Sequence, residues 1–419
     1  MISDILTFPL VRVRDINRNI VGKDVRTVYY VVTALRDLAV GFVSATYALF
    51  LLSKGLTILE MNLVNVFFMV GNFVFEIPTG VYADFFGRKK SVVIHGVLLG
   101  LSGLVYFFSN SFWYFVAAEL LAALAYTFIS GALDAWLADN VGENWVGRTD
   151  YIFSQGQVFS KVALIVGGMT GAYFGSLNLA YPWFLVFMST TFMTLIAAMY
   201  MKNDSPTRAH LGVRSGVKQM MKIAKDSFSY GLGHPVVLWL IITTFVSFLA
   251  FQPLNMFWAP RFSAMAGGQV SVTGWVWAVM SAMMLAGSYL TRLYVKKRMV
   301  YWKIMILSVL LMAVPVLLSS VSPMFLVAVG FFVVHEVGRG IDRPMKISYI
   351  NQYLPADKRA TLLSFDSMVG KIAAALGLIG FGWLAQNSSF AVSWMVSGLM
   401  LLTLIPLYLQ VKKKEENFS

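Results

Sequence analysis

The chain is 419 residues long, carries a formal net charge of +13, contains no cysteine, and is 58% hydrophobic against 13% charged, with a mean hydropathy of +0.71. A soluble domain carries about 25% charged residues; a deficit of this size, spread along the whole chain, sets most side chains against lipid or against other apolar helices. Disulfides, thiolate metal sites and a thiol nucleophile are excluded, and the long unbroken apolar runs exclude a barrel of short alternating strands.

Residues 1–26 hold Arg12, Arg14, Arg18, Lys23 and Arg26 with no long apolar core, so no cleavable leader is expected. Apolar stretches of spanning length follow at 28–52, 60–82, 91–109, 112–137, 151–175, 182–201, 236–258, 273–295, 302–320, 323–349, 360–384 and 388–410. This is the pattern of an all-α membrane protein with twelve transmembrane helices in two pseudo-symmetric six-helix bundles, 1–201 and 236–419. The linker, 202–235, sets Met220, Met221, Ile223, Ala224 and Phe228 among Lys218, Lys222 and Lys225, which reads as an amphipathic helix on the membrane surface or a plain flexible connection. The loops on the N-terminal side hold most of the lysine and arginine, Arg88, Lys89, Lys90, Arg148 and Lys296 among them. The opposite loops offer only Lys54 and Arg261. By the positive-inside rule both termini are cytoplasmic, in the bacterial inner membrane. The net charge is thus a topology signal, and no nucleic-acid partner is expected.

A charge at the bilayer centre costs about 2.5–3.5 kcal/mol on insertion scales, so charged residues inside spans must face partners or water. Span one holds Arg36 and Asp37. Span two holds Glu76, span four Glu119 and Asp134, span five Lys161. Span ten holds His335, Glu336, Arg339, Asp342 and Arg343, and span eleven Asp366 and Lys371. Spans three, six and twelve hold no ionised group, which suits a lipid-facing shell. Gln252 and Asn255 give span seven a polar face. Lys161 and Lys371 fall near the middle of spans five and eleven, at matching places in the two halves. Glu336 and Arg339 are i,i+3 and His335 and Arg339 are i,i+4, so they share one face. Each has a structural alternative: the lysines as neutralising partners, His335 as a packing histidine, Glu336 with Arg339 as a static pair, Glu119 as a clamp between helices, and Asp134 as a gate residue.

The most specific segment is Gly80-Val81-Tyr82-Ala83-Asp84-Phe85-Phe86-Gly87-Arg88-Lys89-Lys90, between spans two and three. It resembles the signature loop of the major facilitator superfamily, Gly-x-x-Ala-Asp-x-x-Gly-Arg-Lys, and Glu76-Ile77-Pro78-Thr79 before it is also typical of that family. Gly80 permits close helix approach and Gly87 a tight turn. The resemblance implies that Asp84 latches the halves at the start of span eleven. It also implies that Arg88 pairs with an acid at the end of span four, Asp139 first and Asp134 second. About 207 positions after Gly80, Gly287 ends span eight before Lys296 and Lys297, an echo of the same arrangement. Two features differ from the drug/proton antiporters of the family: Glu119 stands where they often carry an arginine, and Gly167-Gly168-Met169-Thr170-Gly171 lacks their proline.

The expected function is secondary transport by alternating access, as proton-coupled efflux of an amphipathic small molecule or drug. Glu336, Asp37, Asp134 and Asp366 are the acids to carry the proton, in that order. Lys161, Lys371 and Arg339 modulate them or hold an anionic group. Uptake or exchange of an anionic metabolite, and a non-transporting receptor with the same fold, are the alternatives. No HExxH, Gly-x-Ser-x-Gly or phosphate loop occurs, so neither an enzyme, a cofactor nor a metal is expected, and the partners are solute, protons and lipid around a monomer.

Overall fold

Helix ends fall where the local chemistry can close them. The computed structural model describes residues 24–141, 149–203, 233–296, 301–353 and 359–416. Span one starts at Val25, where the Asp24 carboxylate accepts the Arg26 backbone N–H. Span two starts behind Thr57, whose hydroxyl accepts the Glu60 N–H while Glu60 reaches back to the Thr57 N–H, so two orphaned donors are satisfied reciprocally. Pro182 lies in the first turn of span six, where its missing N–H is not needed.

The twelve crossings are, in order, Val25–Ser44 continued by Tyr47–Ser53; Ile58–Phe86; Arg88–Phe108; Phe112–Ile129 continued by Ala132–Asn140; Thr149–Leu177; Tyr181–Tyr200; Pro235–Met265; Ser271–Lys296; Tyr301–Val321; Phe325–Tyr353; Arg359–Asn387; and Phe390–Leu402 continued by Leu404–Glu416. Among the described residues 11 helices are long and apolar enough to cross a membrane. The tenth span has the length too, at 29 residues, but its charges set it apart. Span four breaks at Gly131, whose φ of 72° favours glycine. Pro253 sits inside span seven without ending it. Ser397 and Trp394 of span twelve donate to the carbonyls of Ala250 and Pro253 there, as neighbours must where no water can.

Several span ends lie beyond the expected ones; span seven runs to Met265 rather than 258, so Arg261 lies in a helix and not in a loop. Span two runs to Phe86 rather than 82, so Asp84 as well as Gly80 lies in its last turns. Only Gly87, with φ 97°, separates it from span three. The linker helix expected over 216–230 lies outside the described residues.

The same neighbours meet in both halves. Spans one, five and six pack together, as do two, three and four, and three with six; seven, eleven and twelve, eight, nine and ten, and nine with twelve repeat the scheme, except that two touches three more than eight touches nine. Contacts between halves come from spans two with eleven, five with eight, and one with seven. Asn62 donates to the Leu378 carbonyl at 2.8 Å and Gln386 accepts the Leu59 N–H at 3.0 Å. Trp277 lies against Gly168 and donates to the Leu164 carbonyl at 3.3 Å. These contacts lie toward the side opposite the start of span one. Toward the near side the halves part: a Cβ built on Gly80 meets nothing within 4 Å.

Candidate functional site

Where the halves part, a cavity of about 310 Å³ lies between them. Its polar wall comes from Arg36 of span one, Asn72 and Glu76 of span two, Tyr126, Thr127, Ser130 and Asp134 of span four, and Lys371 of span eleven. Arg36 donates to both oxygens of Asp37, at 2.8 and 3.0 Å, and the hydroxyl of Ser160 in span five donates to Asp37 as well. The break at Gly131 restarts span four, so that Asp134 sits in a first helical turn, where the N-terminal dipole favours a carboxylate. The Tyr29 hydroxyl donates to it at 2.9 Å.

Lys371 donates to Glu76 at 2.8 Å. Among the described residues this is the ion pair that joins the two halves. Its side chains are 30% and 47% exposed, so it stands in the open part of the cavity. Lys161 is exposed and lies seven positions before Gly168, which holds Trp277 of the other half. Seven residues are two helical turns, so Lys161 shares the face of span five that looks toward the C-terminal half.

Glu336, Asp342 and Asp366 sit inside the C-terminal half. Glu336 is 1% exposed. Arg339 donates to its Oε1 at 2.9 Å and His335 Nε2 lies 3.4 Å from the same atom, while Oε2 is buried without a hydrogen bond. Arg339 also donates to Asn255 at 2.9 Å and lies over the Phe251 ring. His335 Nδ1 meets the Phe332 carbonyl, and Gln252 donates to the Phe248 carbonyl. Asp366 accepts from Thr244 of span seven. Lys346, buried in span ten, lies in electrostatic reach of Asp366 and Asp342. Asp342 accepts from Ser308 and Tyr408. Glu119 lies inside the N-terminal half, where Tyr47 and Tyr106 donate to it.

At the near end of spans two to four, Arg88 donates to the Ala135 carbonyl at 2.7 Å and pairs with Asp139. The side chain of Asp84 and those at the start of span eleven lie outside the described residues, so the meeting of those two is not described.

The sequence reading gave no partner to Glu76 and passed over Lys346, Tyr29 and Tyr126. Only Lys346 left a local signal, four positions after Asp342, the spacing of neighbours on one helix face.

Residues 29–332 and 298–419 match the family model described as Major Facilitator Superfamily. An uncharacterized MFS-type transporter of Bacillus subtilis, YxaM, is 27% identical over 394 residues, covering 93% of this chain and 97% of the relative. A second such transporter, MJ1560 of Methanocaldococcus jannaschii, is 22% identical, covering 92% and 98%. In structure, the chain is similar to the nucleoside transporter NupG, with a TM-score of 0.79 at 11% identity over 93% of this chain and 99% of that one. It is also similar to a D-xylose-proton symporter, with a TM-score of 0.71 at 13% identity over 91% and 96%. The chain is therefore a multi-pass membrane protein of a family of secondary transporters, not of enzymes, and belongs to the Major Facilitator Superfamily.

Proposed function

We propose that the protein exports a small amphipathic molecule across the bacterial cytoplasmic membrane in exchange for protons, with both termini in the cytoplasm and the cavity open to it. The observation that carries this reading is a cavity whose polar wall joins Arg36, Glu76 and Asp134 of one half to Lys371 of the other, with further contacts between the halves on the opposite side. Rocking the halves about those contacts would expose the same side chains to either side in turn. Glu76 and Asp134 stand in the cavity wall and Asp37 directly behind Arg36. A carboxylate that loses water when the cavity closes takes up a proton, and one that regains water or meets Lys371 releases it. Solute and proton then compete for one polar surface.

The test is flux in proteoliposomes with an imposed pH gradient and a panel of amphipathic dyes. Glu76→Gln and Asp134→Asn should each uncouple flux from the gradient while the protein still folds. Flux that ignores the gradient in the unaltered protein would end the exchange reading. A second reading, uptake or exchange of an anionic metabolite, draws on Lys161, which has no acidic partner among the described residues. Anion-dependent counterflow that is lost in Lys161→Met would favour it.

A further inference from the structure

Behind the central cavity lies a chamber of about 120 Å³, held within the N-terminal half. Tyr126 lines both spaces. It lies in electrostatic reach of Arg36 and Asp37 and also of Glu119, so the phenol is the partition between cavity and chamber.

Glu119 lies in the chamber wall and is 6% exposed. Tyr47 and Tyr106 donate to the same oxygen, Oε1, at 2.7 and 2.6 Å. No described residue donates to Oε2, and no described basic side chain pairs with the group. The titratable groups that face it are Tyr47 of span one, Tyr106 of span three and Tyr126 of its own span; spans two and six present Phe68 and Trp183 to the chamber. A buried carboxylate with hydroxyl donors and no counter-charge is an expensive arrangement, and it lacks one thing, a cation. The rest of the wall suits one. Tyr47, Tyr126 and Trp183 also line the chamber, and aromatic faces attract ammonium groups, more so where water is excluded. Size limits the guest: a protein cavity of about 150 Å³ admits benzene, so the smaller chamber takes less than a ring, an ammonium group with its first carbons, and leaves any ring on the Tyr126 side.

We propose that this chamber is a subsite for the ammonium end of a compact organic cation, which passes Tyr126 from the central cavity and sets its charge against Glu119. This deepens the export reading by naming the substrate class, and it rests on that reading for its role in transport. Binding itself does not.

The full-length protein in lipid nanodiscs is titrated with benzylammonium and with the uncharged benzyl alcohol, and tryptophan fluorescence is recorded. Benzylammonium should change the emission saturably, and Trp183→Phe should remove the change, which places the probe in the chamber. Benzyl alcohol should bind about tenfold more weakly or worse, and Glu119→Gln should weaken benzylammonium to a similar degree, the scale of a lost charged hydrogen bond. Val40→Phe fills the chamber from span one while keeping the Glu119 carboxylate, and should abolish binding even if Glu119→Gln fails to fold. Tyr126→Ala should speed association. Equal binding of the two probes, or unchanged binding in Val40→Phe, overturns the proposal. So does a Trp183 signal that follows pH and ignores benzylammonium, which would assign Glu119 to a proton alone. Binding that persists without any flux would overturn the export reading and leave the subsite standing.

Discussion

The Lys371–Glu76 pair makes a quantitative claim about the balance between the two states of the transporter. Two unit charges 2.8 Å apart attract by about 1.5 kcal/mol in water-like surroundings. Both side chains are well exposed, so the cost of holding them in one geometry and solvent screening reduce this to about 0.2–1 kcal/mol. The pair bridges the halves where they have begun to part, so it stabilises this conformer against any in which its two spans move. Removing either member should shift the population by up to about fivefold. The chain has no cysteine, so a single introduced pair can be labelled without background. Ala138 near the end of span four and Gln352 near the end of span ten are exposed positions on the near side of opposite halves. Distance distributions between spin labels at Ala138→Cys and Gln352→Cys, read by double electron–electron resonance, report the balance. Glu76→Gln and Lys371→Met should change the populations alike, and the double variant should add nothing further. About 1 M salt, which shortens screening to about 3 Å, should move the unaltered protein part of the way. Identical distributions in all four proteins, or fully additive shifts, would refute the bridging role.

Other perturbations probe helix contacts around the cavity. A Cβ on Gly171 would lie 1.8 Å from the Phe42 carbonyl oxygen, so Gly171→Val should force spans one and five apart at about 1–3 kcal/mol or more, seen as a lower unfolding temperature in detergent. Gly80→Leu enters open space in this conformer and should leave that temperature within about 0.5 kcal/mol of unchanged. It should slow flux, because the halves must close over that face in the other state. Arg88→Ala removes the bond to the Ala135 carbonyl and the pair with Asp139. A loss of about 1–2 kcal/mol should show as faster amide exchange in Ala132–Asn140, with Phe112–Ile129 unaffected.

The fold was legible because its cause is local. Bilayer thickness sets the length of each apolar run, so twelve spans could be counted without knowing any contact. Even span ten, with His335, Glu336 and Arg339 at its middle, showed enough apolar length on either side. Partners were not legible, because they are set by the relative placement of helices far apart in sequence. Glu76 and Lys371 are separated by 295 positions and Tyr29 and Asp134 by 105, and nothing near either acid points to the other. The fate of Glu336 shows the same limit. Its depth was legible, but its burial against Arg339 and His335 was not. Depth can be read from a sequence more readily than the angle at which a helix presents its side chains. The end of span two falls a few residues short in the sequence, at 82, because the motif around Asp84 reads as a connection; the helix continues to Phe86 and Gly87 alone makes the turn.

The halves are alike in shape and unlike in charge, and the two central lysines stand in different surroundings. Gly167 presses on the Leu38 carbonyl of span one, and Gly377 on the Leu249 carbonyl of span seven; Lys161 and Lys371 each stand six positions before these glycines. Their places are equivalent, but their surroundings are not. Lys371 faces span two, which supplies Glu76, whereas Lys161 faces span eight, Ser271–Lys296, which contains no acid. A lysine with a partner on the opposite half contributes to the balance between states, and a lysine without one does not, yet it still sets the potential of the cavity. Lys161→Met should therefore leave the Ala138–Gln352 distance distribution unchanged while altering how flux depends on the charge of the solute, and Lys371→Met should change the distribution itself. If the two substitutions had the same effect on that distribution, the charge asymmetry of the cavity would have no mechanical consequence.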